Sequence, residues 1–288
     1  MKIVVFGGNG QLGSDIVSKL TVHHEVFPVN HDQVDITNDI ALKECIETIN
    51  PDVIINTAAY HHVDLCEQNP DKAEAVNDTA PTLMAKLCDE KNIRFIHFST
   101  DYVFDGNKNA PYIETDEALP LNVYGKTKRD GEINILKVNP KAIILRVSGL
   151  YGTNPCRAKN GLNFVQLMLK LANEKGEVKV VDDEYVSPTY TVNIAEQIEP
   201  LLIADISGII HSTSEGFCSW YDFAEEIFKY TKTTVLLHKA NSNDFPAKVA
   251  RPKYSVLENM RLKKAGINFM LPWNVALHQY LDSIGYKK

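Results

Sequence analysis

The chain has 288 residues, 44% of them hydrophobic and 23% charged, with a formal net charge of −7. That length is enough for one large domain or two modest ones with a substantial core. The acidic balance, with no basic run longer than Lys126-Thr127-Lys128-Arg129, argues against nucleic acid or a membrane surface as partner, because both reward clustered Lys and Arg.

Taken in chain order, "KIVVFG" reads as a buried strand, and its apolar run of four residues is too short for a signal peptide or a membrane span. "QLGSDIVSKL" places Leu12, Ile16 and Leu20 at helical spacing. "EVFPV" is a second strand interrupted by Pro28, "ALKECIETI" a helix, and "DVIINTAA" a third strand. The stretch from Pro70 to Glu90 reads as helical. "RFIHFST" is a fourth strand, and "AIILRVS" a fifth after a helix carrying Tyr124. Strands alternating with helices predict βαβ units, a doubly wound parallel sheet of the Rossmann type and right-handed crossovers.

After Tyr151 the rhythm changes. "CRAKNGLNF" is a polar loop, "FVQLMLKLANE" an amphipathic helix, "VKVV" a strand and "TYTVNIAEQIEPLLIA" largely helical; "SWYDFAEEIFKYT" and a stretch around Trp273 to Leu281 are further helices. A dinucleotide-binding domain over residues 1–152 is expected. Residues 153–288 form mainly a smaller α/β substrate domain, with elements from about 178 to 213 returning to the first sheet. Cys45, Cys66, Cys88, Cys156 and Cys218 are scattered with no C-x-x-C pair, which fits free thiols in the cytoplasm better than disulfides or zinc.

"FGGNGQLG" sets Gly7, Gly10 and Gly13 between the first strand and the first helix. Glycine there allows a tight turn and lets backbone N–H groups approach a pyrophosphate at the positive helix end. Asp32 and Asp35 follow the second strand with no Arg nearby, so NADPH and NADH both remain open. "NVYGKTK" raises two chemistries. A P-loop ending at Gly125-Lys126-Thr127 would need Gly at position 120, where Pro120 stands, so that reading fails. A helix capped by Asn122 would instead put Tyr124 and Lys128 on one face, i to i+4. A neighbouring ammonium favours phenolate, so Tyr124 is a candidate proton donor to a carbonyl and Lys128 a candidate ribose contact. Thr100, at the carboxyl end of the fourth strand, is placed to hydrogen-bond a substrate oxygen. His61, His62, Asp64, Cys66 and Glu67 form a polar cluster that matches no metal-ligand spacing, and no metal is expected. Asp222, Glu225 and Glu226 read as a solvated helix face, with Trp220, Phe223 and Phe228 burying the other side.

"GGNGQLG", "NTAAY", "VDLCEQNP", "STDYVFDG", "NVYGKTK", "RVSGLYG" and "SPTYT", in that order, resemble the extended short-chain dehydrogenase/reductases, and within them the dTDP-4-dehydrorhamnose reductase family. The resemblance runs from Met1 to about Leu281. It implies NADPH- or NADH-dependent reduction of the C4 ketone of a dTDP-linked sugar, a nucleotide-sugar substrate, and often a homodimer. It implies that Thr100, Tyr124 and Lys128 are catalytic. It implies cofactor contacts from Gly7, Gly10, Gln11, Leu12, Asp35, Ile36, Ala58, Ala59 and Tyr60, and substrate contacts from Thr100, Asp101 and Val103. The chain departs from the pattern at His61-His62, where Thr is usual, at Gly149, where a sugar-associated Trp is frequent, and in "DDEYVSPT". Another keto-sugar reductase or epimerase, and a silent regulatory subunit like that of methionine adenosyltransferase, are the alternatives.

Overall fold

The computed structural model describes residues 1–155, 161–245 and 248–286; Cys156 and the rest of 156–160 in the polar loop lie outside these described residues. The first half runs β1 (Lys2–Phe6), α1 (Gln11–Leu20), β2 (Glu25–Val29), α2 (Asp39–Ile49), β3 (Val53–Asn56), α3 (Val63–Gln68), α4 (Pro70–Glu74), a π turn (Ala75–Thr79), α5 (Ala80–Lys91), β4 (Arg94–Thr100), a 3-10 turn (Asp101–Val103), α6 (Val123–Val138) and β5 (Ile143–Val147). The second half runs β6 (Leu150–Tyr151), α7 (Phe164–Lys175), β7 (Glu177–Val181), β8 (Tyr185–Val186), β9 (Thr189–Tyr190), α8 (Thr191–Leu201), β10 (Gly208–His211), β11 (Cys218–Ser219), α9 (Trp220–Thr231), β12 (Leu236–Ala240), α10 (Met260–Lys264) and α11 (Trp273–Ser283).

Six parallel strands form the main sheet in the order β10-β5-β4-β3-β1-β2. Strand order reverses direction at β1, so a cleft opens beyond the carboxyl ends of β1 and β3. The strands are apolar on both faces, as sheets covered by helices on both sides must be. Ile3, Val5, Val53, Ile55, Ile96 and Phe98 enter one core with α1 and α8; Val4, Phe6, Ile54 and Phe95 enter another with α2, α5 and α6. Pro28 does not interrupt β2, because β2 lies at the sheet's edge, where a missing N–H is tolerated. A further core joins α7, α9 and α11 around Tyr151, Phe223 and Tyr280. β7 pairs with β12 in a separate two-stranded sheet, whereas β10 and α8 pack with the first-half elements.

Two local details go beyond the periodicity. Residues 70–90 are helical as expected, but carry the π turn at the point where Pro81 lacks the N–H that would return to the Asn77 carbonyl. This carries the Asn77 side chain fully inward. In α9, Asp222 is exposed like Glu225, and its carboxylate also closes a capping box with Ser219. Glu226 meets His278 at 2.7 Å.

α6 starts as its sequence dictates, with the Asn122 side chain accepting from the Gly125 N–H at 2.8 Å. A Cβ on Gly125 would stand 2.1 Å from the Tyr102 carbonyl oxygen, so only glycine lets α6 settle on the turn that follows β4. Gly125→Ala is therefore expected to lose on the order of 1–3 kcal/mol of unfolding free energy in urea titrations, because the helix must lift off that turn.

Candidate active site

Gly10 caps α1 with φ −79 and ψ 172 and no side-chain capping bond. The first N–H groups of α1 are thus left at the cleft without a side-chain acceptor, an arrangement suited to a pyrophosphate. A Cβ on Gly13 would stand 2.2 Å from the Gly7 carbonyl oxygen, so the helix can approach the loop this closely only with glycine there. Gln11 reaches Asn154 O at 3.1 Å. These features fit a dinucleotide. Leu12 and Ile36 point into the two sheet cores, so only their backbones can meet a ligand. Asp35 is exposed, and its carboxylate accepts from the N–H and hydroxyl of Thr37 at 2.9 and 2.7 Å, which holds it below the usual carboxylate range. Positive charge does approach Asp35, from Lys72, a juxtaposition invisible in the sequence because Lys72 arrives from α4. Ala58, Ala59 and Tyr60 leave β3 half-buried, and the Asn77 side chain clamps both the N–H and the carbonyl of Tyr60, at 2.9 and 3.0 Å.

Thr100 ends β4, and its hydroxyl donates to Asp101 Oδ1 at 3.0 Å while accepting from the Tyr102 N–H. Tyr124 is half-buried and packs edge to face on Tyr102 with centroids 5.7 Å apart. Burial pushes its phenol above the ordinary tyrosine range; hydrogen bonding with Thr100 acts in the opposite direction. Lys128 lies one turn further on the same face but is not paired with that phenol. Its Nζ meets His97 Nε2 at 3.0 Å and donates to Phe98 O at 2.6 Å. Burial lowers Lys128 to about 8, with Glu132 opposing. The expected lowering of the phenol by a neighbouring ammonium is thus absent from this arrangement, because desolvation dominates and Nζ is turned to β4.

One more turn along α6, Glu132 takes a bidentate ion pair from Arg146 of β5, at 2.9 and 2.6 Å, with both side chains buried. Tyr124, Lys128 and Glu132 therefore form one stripe against a row of sheet residues: Asn56, His97 and Arg146. Nothing in the sequence marks that row, since its members come from three strands. His97 Nδ1 lies 3.1 Å from Asn56 Nδ2, and burial lowers His97 well below the ordinary histidine range.

Packing buries Val103 and Asp101. Val103 has 0% of its surface exposed and lies in a small core with Phe104, Tyr112 and Leu257, so its side chain offers nothing to a ligand. The Asp101 carboxylate is buried and takes hydroxyls from Thr100, Ser148 and Ser255; burial raises it despite these bonds. In the His61–Glu67 cluster, Cys66 donates to Tyr60 O, Glu67 accepts from the Val123 N–H, and Asp64 faces Arg251 at 3.8 Å. These are ties between loops and helices. Among the described residues no helix is long and apolar enough to cross a membrane.

In the folded protein Lys128 titrates below its unfolded value of 10.5, so it destabilises the fold at low pH and this effect disappears as pH rises from about 8 towards 10.5. The unfolding free energy of Lys128→Met minus that of wild type should fall by on the order of 2 kcal/mol between about pH 7 and pH 10, as read from paired denaturant titrations.

A model of the RmlD substrate binding domain matches residues 1–285. The structure of a dTDP-4-dehydrorhamnose reductase from Clostridium acetobutylicum is similar, with a TM-score of 0.93 and 38% identity covering 99% of each chain. A dTDP-4-dehydrorhamnose reductase from Bacillus anthracis in complex with NADP also has a TM-score of 0.93, at 32% identity, covering 98% of this chain and 99% of that one. A dTDP-4-keto-6-deoxy-D-glucose reductase of Streptomyces niveus is 33% identical over 279 residues, 96% of this chain and 95% of that protein.

Proposed function

This chain belongs to the RmlD substrate-binding-domain family, and from that premise we propose that it is an NAD(P)H-dependent oxidoreductase reducing the C4 ketone of dTDP-4-dehydro-L-rhamnose to dTDP-L-rhamnose in the cytoplasm. The observation that carries the reading is the convergence of Thr100, from the end of β4, with Tyr124 and Lys128, from the first turns of α6, beside an uncapped glycine turn.

Bound NAD(P)H supplies the hydride. The α1 N-terminus behind Gly7 and Gly10 would hold the pyrophosphate, with Gln11 and the backbone of Asp35-Ile36 and of Ala58–Tyr60 available to the rest of the cofactor. Thr100 orients and polarises the ketone oxygen. Tyr124 gives that oxygen its proton. Because burial keeps the phenol protonated at neutral pH, Tyr124 stands ready as a donor without a separate charging step. Lys128 is the cation of the same helix face that offsets the phenolate left behind, once it turns from β4 to the ribose. Asp101 acts through Thr100, holding its hydroxyl rather than touching the sugar. The elements packed around Tyr151, Phe223 and Tyr280 form most of the sugar-nucleotide side of the cleft.

A second hexose keeps a claim. Gly149 gives no indole wall to the pocket, and the Streptomyces niveus relative bears the name of another dTDP-4-ketosugar reductase. The chemistry is the same in both cases. A silent regulatory role is disfavoured by the intact Thr100, Tyr124 and Lys128.

Purified protein should oxidise NADPH or NADH, followed by nicotinamide absorbance, with dTDP-4-dehydro-L-rhamnose. Tyr124→Phe is expected to lower kcat by roughly 10²–10⁴-fold while cofactor binding changes little. Turnover with dTDP-4-keto-6-deoxy-D-glucose alone would move the assignment to that sugar; none with either would overturn it.

A further inference from the structure

Behind Lys128 lies a hydrogen-bond chain whose donors and acceptors can be counted. Asn56 Oδ1 accepts from the Ala58 N–H at 3.0 Å, and Asn56 Nδ2 faces His97 Nδ1 at 3.1 Å. A backbone N–H can only donate, so the oxygen end of the amide is pinned to Ala58 and its NH₂ end to the imidazole. His97 Nδ1 must then accept, which puts the proton of the neutral ring on Nε2. That N–H points at Lys128 Nζ, 3.0 Å away. The other partner of Nζ is the Phe98 carbonyl, which can only accept. An ammonium has three donors and no lone pair, so it would set N–H against N–H at His97. A neutral amine has two donors and one lone pair and satisfies both neighbours. Asn56, His97 and Lys128 are 0%, 0% and 1% exposed, so a mismatch there is not relieved by bulk water.

We propose that Asn56 and His97 are a positioning pair that favours the neutral amine of Lys128 while it is docked on β4 in the unliganded protein, so that release of Lys128 from His97 is coupled to its gain of a proton from solvent. In that step Nζ forms one N–H bond and nothing is oxidised or reduced. The inference deepens the reductase reading and rests on its assignment of Lys128 to the cofactor. The remaining ionisable groups on the elements around Lys128 leave this balance in place. Glu132 is locked to Arg146 of β5, Asp78 of the π turn is held by Asn134 and Thr82, Asp101 by its three hydroxyls, and Cys66 of α3 by Tyr60 O. Tyr124 and Tyr102 are kept protonated by burial. Burial also acts on Lys128 and His97 in the direction of their neutral forms.

The test needs neither cofactor nor sugar, so its failure is separable from failure of the reductase reading. Long-range proton–nitrogen NMR of the unliganded wild type should show His97 with a bare Nδ1 and a protonated Nε2 at about pH 9, above the Lys128 titration. An Nδ1–H tautomer or an imidazolium would overturn the proposal. Asn56→Asp retains an acceptor for Ala58 and adds one for His97 Nδ1–H. It should switch the tautomer and raise the Lys128 titration, read from its Nζ resonance, by about one pH unit or more. His97→Gln introduces no charge yet can turn an amide oxygen to Nζ, and should raise it in the same direction. A Lys128 titration that stays put in the folded His97→Gln protein, or in Asn56→Asp after the tautomer has switched, would sink the coupling.

Discussion

Everything at the cleft hangs on how one face of α6 is buried. Tyr124, Lys128 and Glu132 follow one another at four-residue intervals, and the last two are almost wholly removed from water. Buried charges need partners, since desolvation alone costs several kcal/mol per ion. Arg146 meets Glu132 with two parallel hydrogen bonds, and His97 with Phe98 O meets Lys128. These partners sit on the adjacent strands β4 and β5. The rotation of α6 about its axis is therefore set, and Tyr124 is delivered to the cleft mouth beside Thr100.

Close backbone approach does the rest. The glycine turn after β1 brings the start of α1 to the sheet, and Gly125 brings α6 to the turn after β4. Between them, Asn77 reaches from the π turn to the backbone of Tyr60 and to Thr127 Oγ1. A widened helical turn at a functional cleft is a recurring device, because it aims one side chain out of the regular pattern. Here it ties the strand-end segment to α6, so both walls of the cleft are referred to the same residue.

The arrangement is also poised rather than relaxed. A buried lysine facing a histidine carries a stability cost at neutral pH, and nothing in the fold demands it: an apolar residue would pack there. Its retention makes sense where a cation is needed only during part of a cycle. The phenol, by contrast, is kept protonated by the same burial. Opposite proton demands are thus met by neighbours on one helix face, with burial acting on both and the hydrogen bonds of His97 and Phe98 O acting on Lys128.

Much of this was legible in the chain itself. Hydrophobic alternation on short β-branched runs, separated by helical spacing, specifies a parallel sheet with two covered faces, because both periods are local properties of the backbone. The glycine spacing, the Asn122 cap and the i to i+4 relation of Tyr124 and Lys128 are equally local. Motif order was enough to mark the family resemblance. The rest depended on packing. Asn56 and His97 are 41 residues apart, and His97 and Lys128 31 apart, and only the pairing of β3 with β4 under α6 makes them one chain. The burial of Val103 and Asp101 likewise comes from tertiary packing, not from local spacing. The π turn arose from a proline whose effect on Asn77 no periodicity records. Local spacing determined which residues could act; which nitrogen faces which, and hence which proton sits where, was decided by contacts between strands distant in sequence.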